Sequence, residues 1–527
     1  LETATIAKPL PDQATTRHLT ASIGKNTLFG IVASFAQVAT RLVTVPIIIA
    51  HLGLGGYGIW SIIMNAAAYM RFGSAGIKSA FQKYVAEATG NGDYLTANRL
   101  LSTGTAVMVV LSVIGLIPIA FFSRTLAKAA GVPPEFLHAS AWAISMLALF
   151  MIFANGGAAY DAAVLGGHRI DLARKFNTVL CVAEAVAIIV LLRFGFGLIA
   201  MTAVMTLSEL AFITSCYVAS HRVVPLIRLS PKYVTKSVLP ELVRFAGSYQ
   251  LMNIMQVIYG AIVPIAILRA YGASAAGIFA LGTRLVSPVT MCIYAFLLPI
   301  LSGGTMVFAS GSVEKMRVLL AKSFKVTLLM TLLPLGLICA FGSTLILAWT
   351  GQADPHIPAT LWLVSAAVLF QAFSLLGLVL YRASGKALMD MLREVLRIVI
   401  ILITAAFAAK LGFYGVLAGM AVAELISMIF MLVALKKTYP IFEAKALVPE
   451  ILRLTAATFG IVFVGVLAGH ISFVPASNAR MFAVWKMGAV ILAILISAYP
   501  ILFLTGSVSK SEVRSILGVF RKNPAST

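Results

Sequence analysis

The sequence is poor in charge, and the charge it has is mostly of one sign. Only 11% of its 527 residues are Asp, Glu, Lys or Arg, and 18 acidic residues stand against 40 basic ones, for a net charge of +22. That is too little charge to solvate a water-soluble chain of this length, for which three or four domains would otherwise be expected. Cysteine is scarce too. Cys181, Cys216, Cys292 and Cys339 all fall inside apolar spans and have no CxxC spacing, so neither a disulfide framework nor a zinc site is indicated. The seven histidines are scattered, with no i, i+4 pair, and no metal site is expected. Long polar loops are missing. The longest connections, near 221–245 and 123–136, run about 25 and 14 residues, short of the roughly 50 that a folded domain needs. A membrane polymerase or ligase would need a sizeable outer loop for its catalytic groups, so no enzyme is expected. Gly53, Gly55 and Gly58 match GxGxxG but follow no strand, which excludes a dinucleotide site. The first 25 residues lack the apolar core of a cleaved signal peptide, so the first span is expected to be an uncleaved anchor.

What the chain has is apolar length. It is 60% hydrophobic, with a mean hydropathy of +0.99, the composition of an all-α polytopic membrane protein. Fourteen candidate helices fall near 28–50, 57–80, 101–122, 137–161, 175–192, 197–218, 246–268, 276–300, 323–348, 358–381, 391–409, 413–435, 448–469 and 484–505. With the N-terminus inside, 29 basic residues fall in cytoplasmic segments, 7 on the opposite side and 4 within spans. This bias predicts both termini in the cytoplasm. It also accounts for the positive charge without a nucleic-acid partner.

The chain repeats itself. A shift of 219 residues brings Gln37 onto Gln256, Gly53 onto Gly272, Gly58 onto Gly277 and Ile59 onto Ile278; a shift of 218 brings Gly167 onto Gly385 and Gly197 onto Gly415. The expected organisation is a cytoplasmic tail (1–25), a six-helix lobe (26–220), a cytoplasmic linker (221–245), a second six-helix lobe (246–437), two further helices (438–506) and a basic tail (507–527). The halves share one inside-out order, so the axis relating them runs along the membrane normal. Substrate is then expected between the lobes.

The charges inside the spans carry the functional reading. Arg41 lies near the middle of the first span, Arg71 and Lys78 in the second, and Arg284 in the eighth. A cation at the bilayer centre costs at least about 2.5–3.5 kcal/mol, so such residues face a cavity or a partner. Measured from the outer helix ends, Arg284, Arg71 and Lys78 lie at depths of about 12, 21 and 31 Å, a ladder through the membrane. Lys78 either belongs to it or snorkels to the inner surface. Ser34, Gln37, Arg41 and Thr44 share one helix face, with a kink expected at Pro46; Tyr249, Asn253, Gln256 and Gly260 form the matching stripe in helix 7, and Asn65 falls opposite Arg284 under the repeat. The amides either contact substrate or serve as interhelical hydrogen-bonding groups. Planar guanidinium forks suit phosphate, and a pyrophosphate would satisfy two or three of these cations together. Asp161, Glu184, Glu209 and Glu424 lie near or within spans. They could bind H⁺ or Na⁺ as coupling ions, or neutralise the buried arginines. No other cofactor is expected. The basic tail after Lys510 could lie on anionic lipid headgroups.

The segments VPIIIAHLG, GGYGIWSII and FGSAGIKSAFQKYVAEA resemble the opening of Wzx-type polysaccharide flippases of the MOP exporter superfamily (multidrug, oligosaccharidyl-lipid and polysaccharide exporters). The resemblance implies two bundles around a central cavity that opens alternately to each side of a bacterial inner membrane. It implies an undecaprenyl-pyrophosphate-linked oligosaccharide as substrate, moved from the inner to the outer leaflet. Substrate-serving arginines would lie on helices 1, 2 and 8, where Arg41, Arg71 and Arg284 stand, with a lipid-tail groove at helices 13 and 14. Polysaccharide polymerase and glycosyltransferases would be its partners. The rival reading is a cation-coupled multidrug exporter of the same superfamily, for which an acidic, aromatic-lined cavity would be expected.

Overall fold

The structure is a computed structural model. It describes the backbone of residues 13–73, 75–167, 169–309, 311–383, 388–438, 448–470 and 479–507, and side chains from residue 36 onward except at 68–76, 243–254 and some further positions. The described residues form α-helices and two single 3₁₀ turns, with no strand among them. The helices are α1 (Gln13–Gly73), α2 (Ala75–Asn91), α3 (Tyr94–Ala129), α4 (Pro134–Gly156), α5 (Ala158–Gly166), α6 (Ile170–Arg193), α7 (Leu198–Val223), α8 (Leu239–Ala309), α9 (Val313–Thr350), α10 (Ile357–Ala383), α11 (Leu388–Ala406), α12 (Ala408–Thr438), α13 (Val448–His470) and α14 (Ala479–Leu504).

Among the described residues, eleven stretches are long and apolar enough to cross a membrane. The fourteen spans expected from sequence reduce to these for two reasons. The first and second spans run on as one stretch, Ala36–Ala67, and the seventh and eighth as Met255–Leu297. The eleventh, α11, is absent from the eleven because it carries Asp390, Arg393, Glu394 and Arg397. The outward surface is apolar: Phe121, Phe459, Leu495 and Leu504 are 71–83% exposed. In water such a surface would aggregate; in hydrocarbon it is solvated.

Glycines mark where the helices break, and they repeat. Gly53 interrupts α1 at φ 69°, ψ 175°, and Gly272 interrupts α8 at φ 84°, ψ 179°, a conformation essentially reserved for glycine. Gly92, Gly131 and Gly195 also have positive φ, as do Gly311, Gly351 and Gly412. The four in the first half precede their counterparts by 219, 219, 220 and 217 residues. The repeat read from a few sequence identities is therefore a repeat of backbone conformation.

The chain divides into two compact units. One comprises Leu1–Gly53, Ile63–Ala129 and Pro134–Val257; the other comprises Leu54–Ile62, Ala130–Pro133 and Ile258–Thr527. In the first, α2, α3 and α5 enclose a core of Phe81, Val85, Leu100, Leu101, Ala162 and Ala163, all at most 1% exposed. The connection after α7 is fastened to α3. The Asn98 amide donates to the Leu226 carbonyl (3.0 Å) and its Oδ1 accepts from Arg228 N–H (2.8 Å). Ser102 accepts from Ser230 N–H (3.2 Å), and the Thr103 hydroxyl accepts from Thr235 N–H (3.0 Å). A loop whose backbone groups would otherwise lack partners is thus held as a strap. At the start of α3, Asp93 accepts from Thr96 N–H (3.1 Å); the Thr96 hydroxyl first, and this backbone N–H second, hold its carboxyl pKa below the ordinary 3.8.

In the second unit, α10 packs on α9 and α12, α11 packs on α12, and the α13–α14 pair packs on α9. Arg480, near the start of α14, donates to the Ala348 and Trp349 carbonyls at the end of α9 (3.3 and 2.9 Å). Lys325 of α9 lies 3.9 Å from Glu450 of α13. Segment 54–62 also belongs to this unit, and its backbone comes close to that of 273–277 at Gly58 and Gly277.

Candidate functional site

The buried charges of the second unit are organised by α11. Asp390, Arg393, Glu394 and Arg397 fall at i, i+3, i+4 and i+7, on one helix face. All four are at most 4% exposed, while Leu392, Val395, Val399, Leu402 and Ile403 on the same helix are 40–55% exposed. The helix is inside out by the standard of a soluble protein, with charge inward and hydrocarbon outward.

Each of these charges is paired. Arg397 sends one nitrogen to both carboxylate oxygens of Glu394 (2.9 Å each) and the other to Glu424 Oε1 on α12 (2.6 Å). Its guanidinium lies 3.8 Å from the ring centroid of Tyr259 on α8, and the Tyr259 hydroxyl donates to the same Glu424 oxygen (2.7 Å). Arg393 donates to Glu394 and to Ser374 of α10 (3.2 Å), and lies 3.8 Å from Asp390. Arg382, at the end of α10, donates to Asp390 Oδ2 through Nε (3.0 Å) and through a second nitrogen. Three guanidiniums therefore meet three carboxylates, and the cluster ties together α8, α10, α11 and α12. Charges removed from water are tolerated only with partners of this kind, because the desolvation penalty is several kcal/mol per ion.

This cluster corrects the basic-residue tally. Arg393 and Arg397, counted with a cytoplasmic segment, are buried inside the helix bundle of the second unit. The number of basic residues expected in cytoplasmic segments falls from 29 to 27, against 7 expected on the opposite side. The signal was present in the i, i+3, i+4, i+7 spacing. Spacing alone, however, does not say whether a charged face meets water or other helices.

In the first unit, Lys78 of α2 is ion-paired with Asp161 of α5; their side chains are 35% and 11% exposed. Gln37 of α1 donates to Asn177 Oδ1 of α6 (2.9 Å), and the Thr40 hydroxyl lies 3.4 Å from the Cys181 sulfur. Arg41 is exposed and has contacts of its own, as have half-buried Glu184 on α6 and buried Glu209 on α7. Asn65 and Gln256 are half-buried. Arg284 is half-buried on α8, and its guanidinium has no hydrogen-bond or ion-pair partner among the described residues. The side chains of Arg71 and Asn253 lie outside the described residues. Among the described residues, no three or more His, Cys, Asp or Glu side chains come together as a metal site.

No family model matches the chain, and no curated protein sequence matches it. Solved structures do. The lipid II flippase MurJ, in an inward closed conformation, superposes with a TM-score of 0.71 at 14% identity, over 90% of this chain and 99% of its own. An inward-facing multidrug resistance MATE family transporter of the MOP superfamily gives 0.67 at 14% identity, over 77% and 94%. The MATE multidrug transporter DinF-BH gives 0.60 at 16% identity, over 83% and 99%. At these identities the likeness is one of fold: the chain is an all-helical, multi-pass membrane protein with the fold of MOP superfamily transporters.

Proposed function

We propose that this protein is a flippase that moves an undecaprenyl-pyrophosphate-linked oligosaccharide from the cytoplasmic to the periplasmic leaflet of a bacterial inner membrane. The observation that carries the reading is Arg284. Asp161 is taken by Lys78 and Glu424 by Arg397, while Arg284 sits half-buried in α8 with no anion against it among the described residues. A guanidinium in that position calls for an anionic visitor, and its planar fork matches a phosphate oxygen pair. An exporter of cationic drugs would call for the opposite, carboxylates left open for the cargo. The match to the MurJ fold over 90% of this chain, against 77–83% for the two MATE structures, supports the same choice.

In this proposal Arg41, Arg71 and Arg284 hold the diphosphate, and Asn65, Asn253 and Gln256 contact phosphate or sugar. Lys78 and Gln37, committed to Asp161 and Asn177, serve the scaffold. Both termini are cytoplasmic, and the glycosyltransferases and polymerase that act before and after translocation are its partners. The test is the Arg41→Ala/Arg284→Ala double variant in a polysaccharide export assay. Loss of export with normal membrane insertion is expected. Export at the full rate overturns the site assignment, and extrusion of cationic dyes by the wild type overturns the substrate class.

A further inference from the structure

The charge cluster on α11 bears on how the transport proposed above is driven. Glu394 and Glu424 lie on neighbouring helices and are 0% and 2% exposed. Two buried carboxylates and a tyrosine hydroxyl, drawn together inside a membrane bundle, form a set of hard oxygen ligands of the kind that takes up a small cation. Here one guanidinium fills the space among them. Arg397 contacts both oxygens of Glu394 and one of Glu424, and lies over the Tyr259 ring. Neighbouring groups extend the set: Arg393 also bonds Glu394, Arg382 bonds Asp390, Ser374 accepts from Arg393, and Tyr294 lies within electrostatic reach of both arginines. Glu424 Oε2, Arg393 Nε and Arg397 Nε are buried and without hydrogen-bond partners among the described residues, so one acceptor and two donors of the set are left unmatched.

We propose that Arg397 is a tethered cation standing where a coupling cation would bind, so that this unit passes through its cycle without taking up Na⁺ at Glu394 and Glu424. The mobile ion of a coupled transporter is replaced by a side chain that cannot leave. Removing the guanidinium would leave the two carboxylates, the Tyr259 hydroxyl and a vacated volume, and so would create a sodium site that the wild type lacks. This rests on the transport reading only in describing the pair as a coupling position; the measurement below needs no substrate.

Purified wild-type protein, R397A, E424Q and R397A/E424Q are melted in NaCl and in choline chloride at matched ionic strength. The wild type is expected to melt at one temperature in both salts. R397A is expected to melt lower in choline and to recover by a few degrees, saturably, as sodium rises, as for a ligand that binds only the folded state. R397A/E424Q is expected to lose that recovery. A saturable sodium-dependent rise in the wild type that E424Q abolishes overturns the proposal, and so does an R397A protein indifferent to sodium. If R397A does not accumulate in folded form, the comparison of wild type with E424Q decides alone. Failure here leaves the flippase assignment standing, and full export by Arg41→Ala/Arg284→Ala leaves this proposal standing.

Discussion

Adding one methyl group at Gly277 should separate two backbones. A Cβ built there would lie 2.2 Å from the Leu54 carbonyl oxygen, and one at Gly58 would lie 2.5 Å from the Ala273 carbonyl oxygen and the Gly277 nitrogen. Carbon and oxygen do not approach more closely than about 3.3 Å. Gly277→Ala must therefore push segment 54–62 away by about 1 Å, and because both partners are backbone, no rotamer change relieves the clash. Overpacking costs about 1–3 kcal/mol, and this site belongs at the upper end. At roughly 2–4 °C per kcal/mol for a unit of this size, Gly277→Ala should lower the melting temperature by about 4–12 °C. Trp60, 5% exposed and within the displaced segment, provides a fluorescence readout in detergent. Gly53→Ala is the control. It has nothing within 4 Å of its Cβ, so its cost is only the strain of an alanine at positive φ, about 1–3 kcal/mol, with Trp60 left in place. The Gly58→Ala/Gly277→Ala pair should cost less than the sum of its parts, because one displacement relieves both clashes. Single variants at Gly58 and Gly277 that melt with the wild type would refute the close approach.

Two further outcomes follow from the first unit. Lys78→Met strands the Asp161 carboxylate, whose side chain is 11% exposed while that of Lys78 is 35% exposed, and should destabilise the protein by about 1–3 kcal/mol, less than for a fully buried pair; Lys78→Met/Asp161→Asn should restore most of the melting temperature, and no difference between these variants would show that the pair bears no charge interaction. Asn98→Ala removes both side-chain bonds to the strap after α7 and should cost about 1–3 kcal/mol. Hydrogen exchange at the Arg228 amide should then speed up by roughly ten- to a hundredfold, and unchanged exchange would show that Ser102 and Thr103 hold the strap without it.

The amino-acid sequence alone determined the helical, multi-pass architecture, because an apolar run of sufficient length is a local property that needs no partner. It also determined the break points of the repeat, because a positive φ is a demand on one residue at a time, and Gly53 and Gly272 meet it wherever the rest of the chain goes. Which charges meet was decided only by tertiary structure. Tyr259 and Glu424 are 165 residues apart, Lys78 and Asp161 83, and Arg397 and Glu424 27. Periodicity placed Asp390, Arg393, Glu394 and Arg397 on one face of α11 but left open what that face packs against. Packing against α8, α10 and α12 turned a row of charges that a water-soluble helix would show to solvent into the buried centre of the second unit, since inside a bilayer the only polar partners within reach are other parts of the protein.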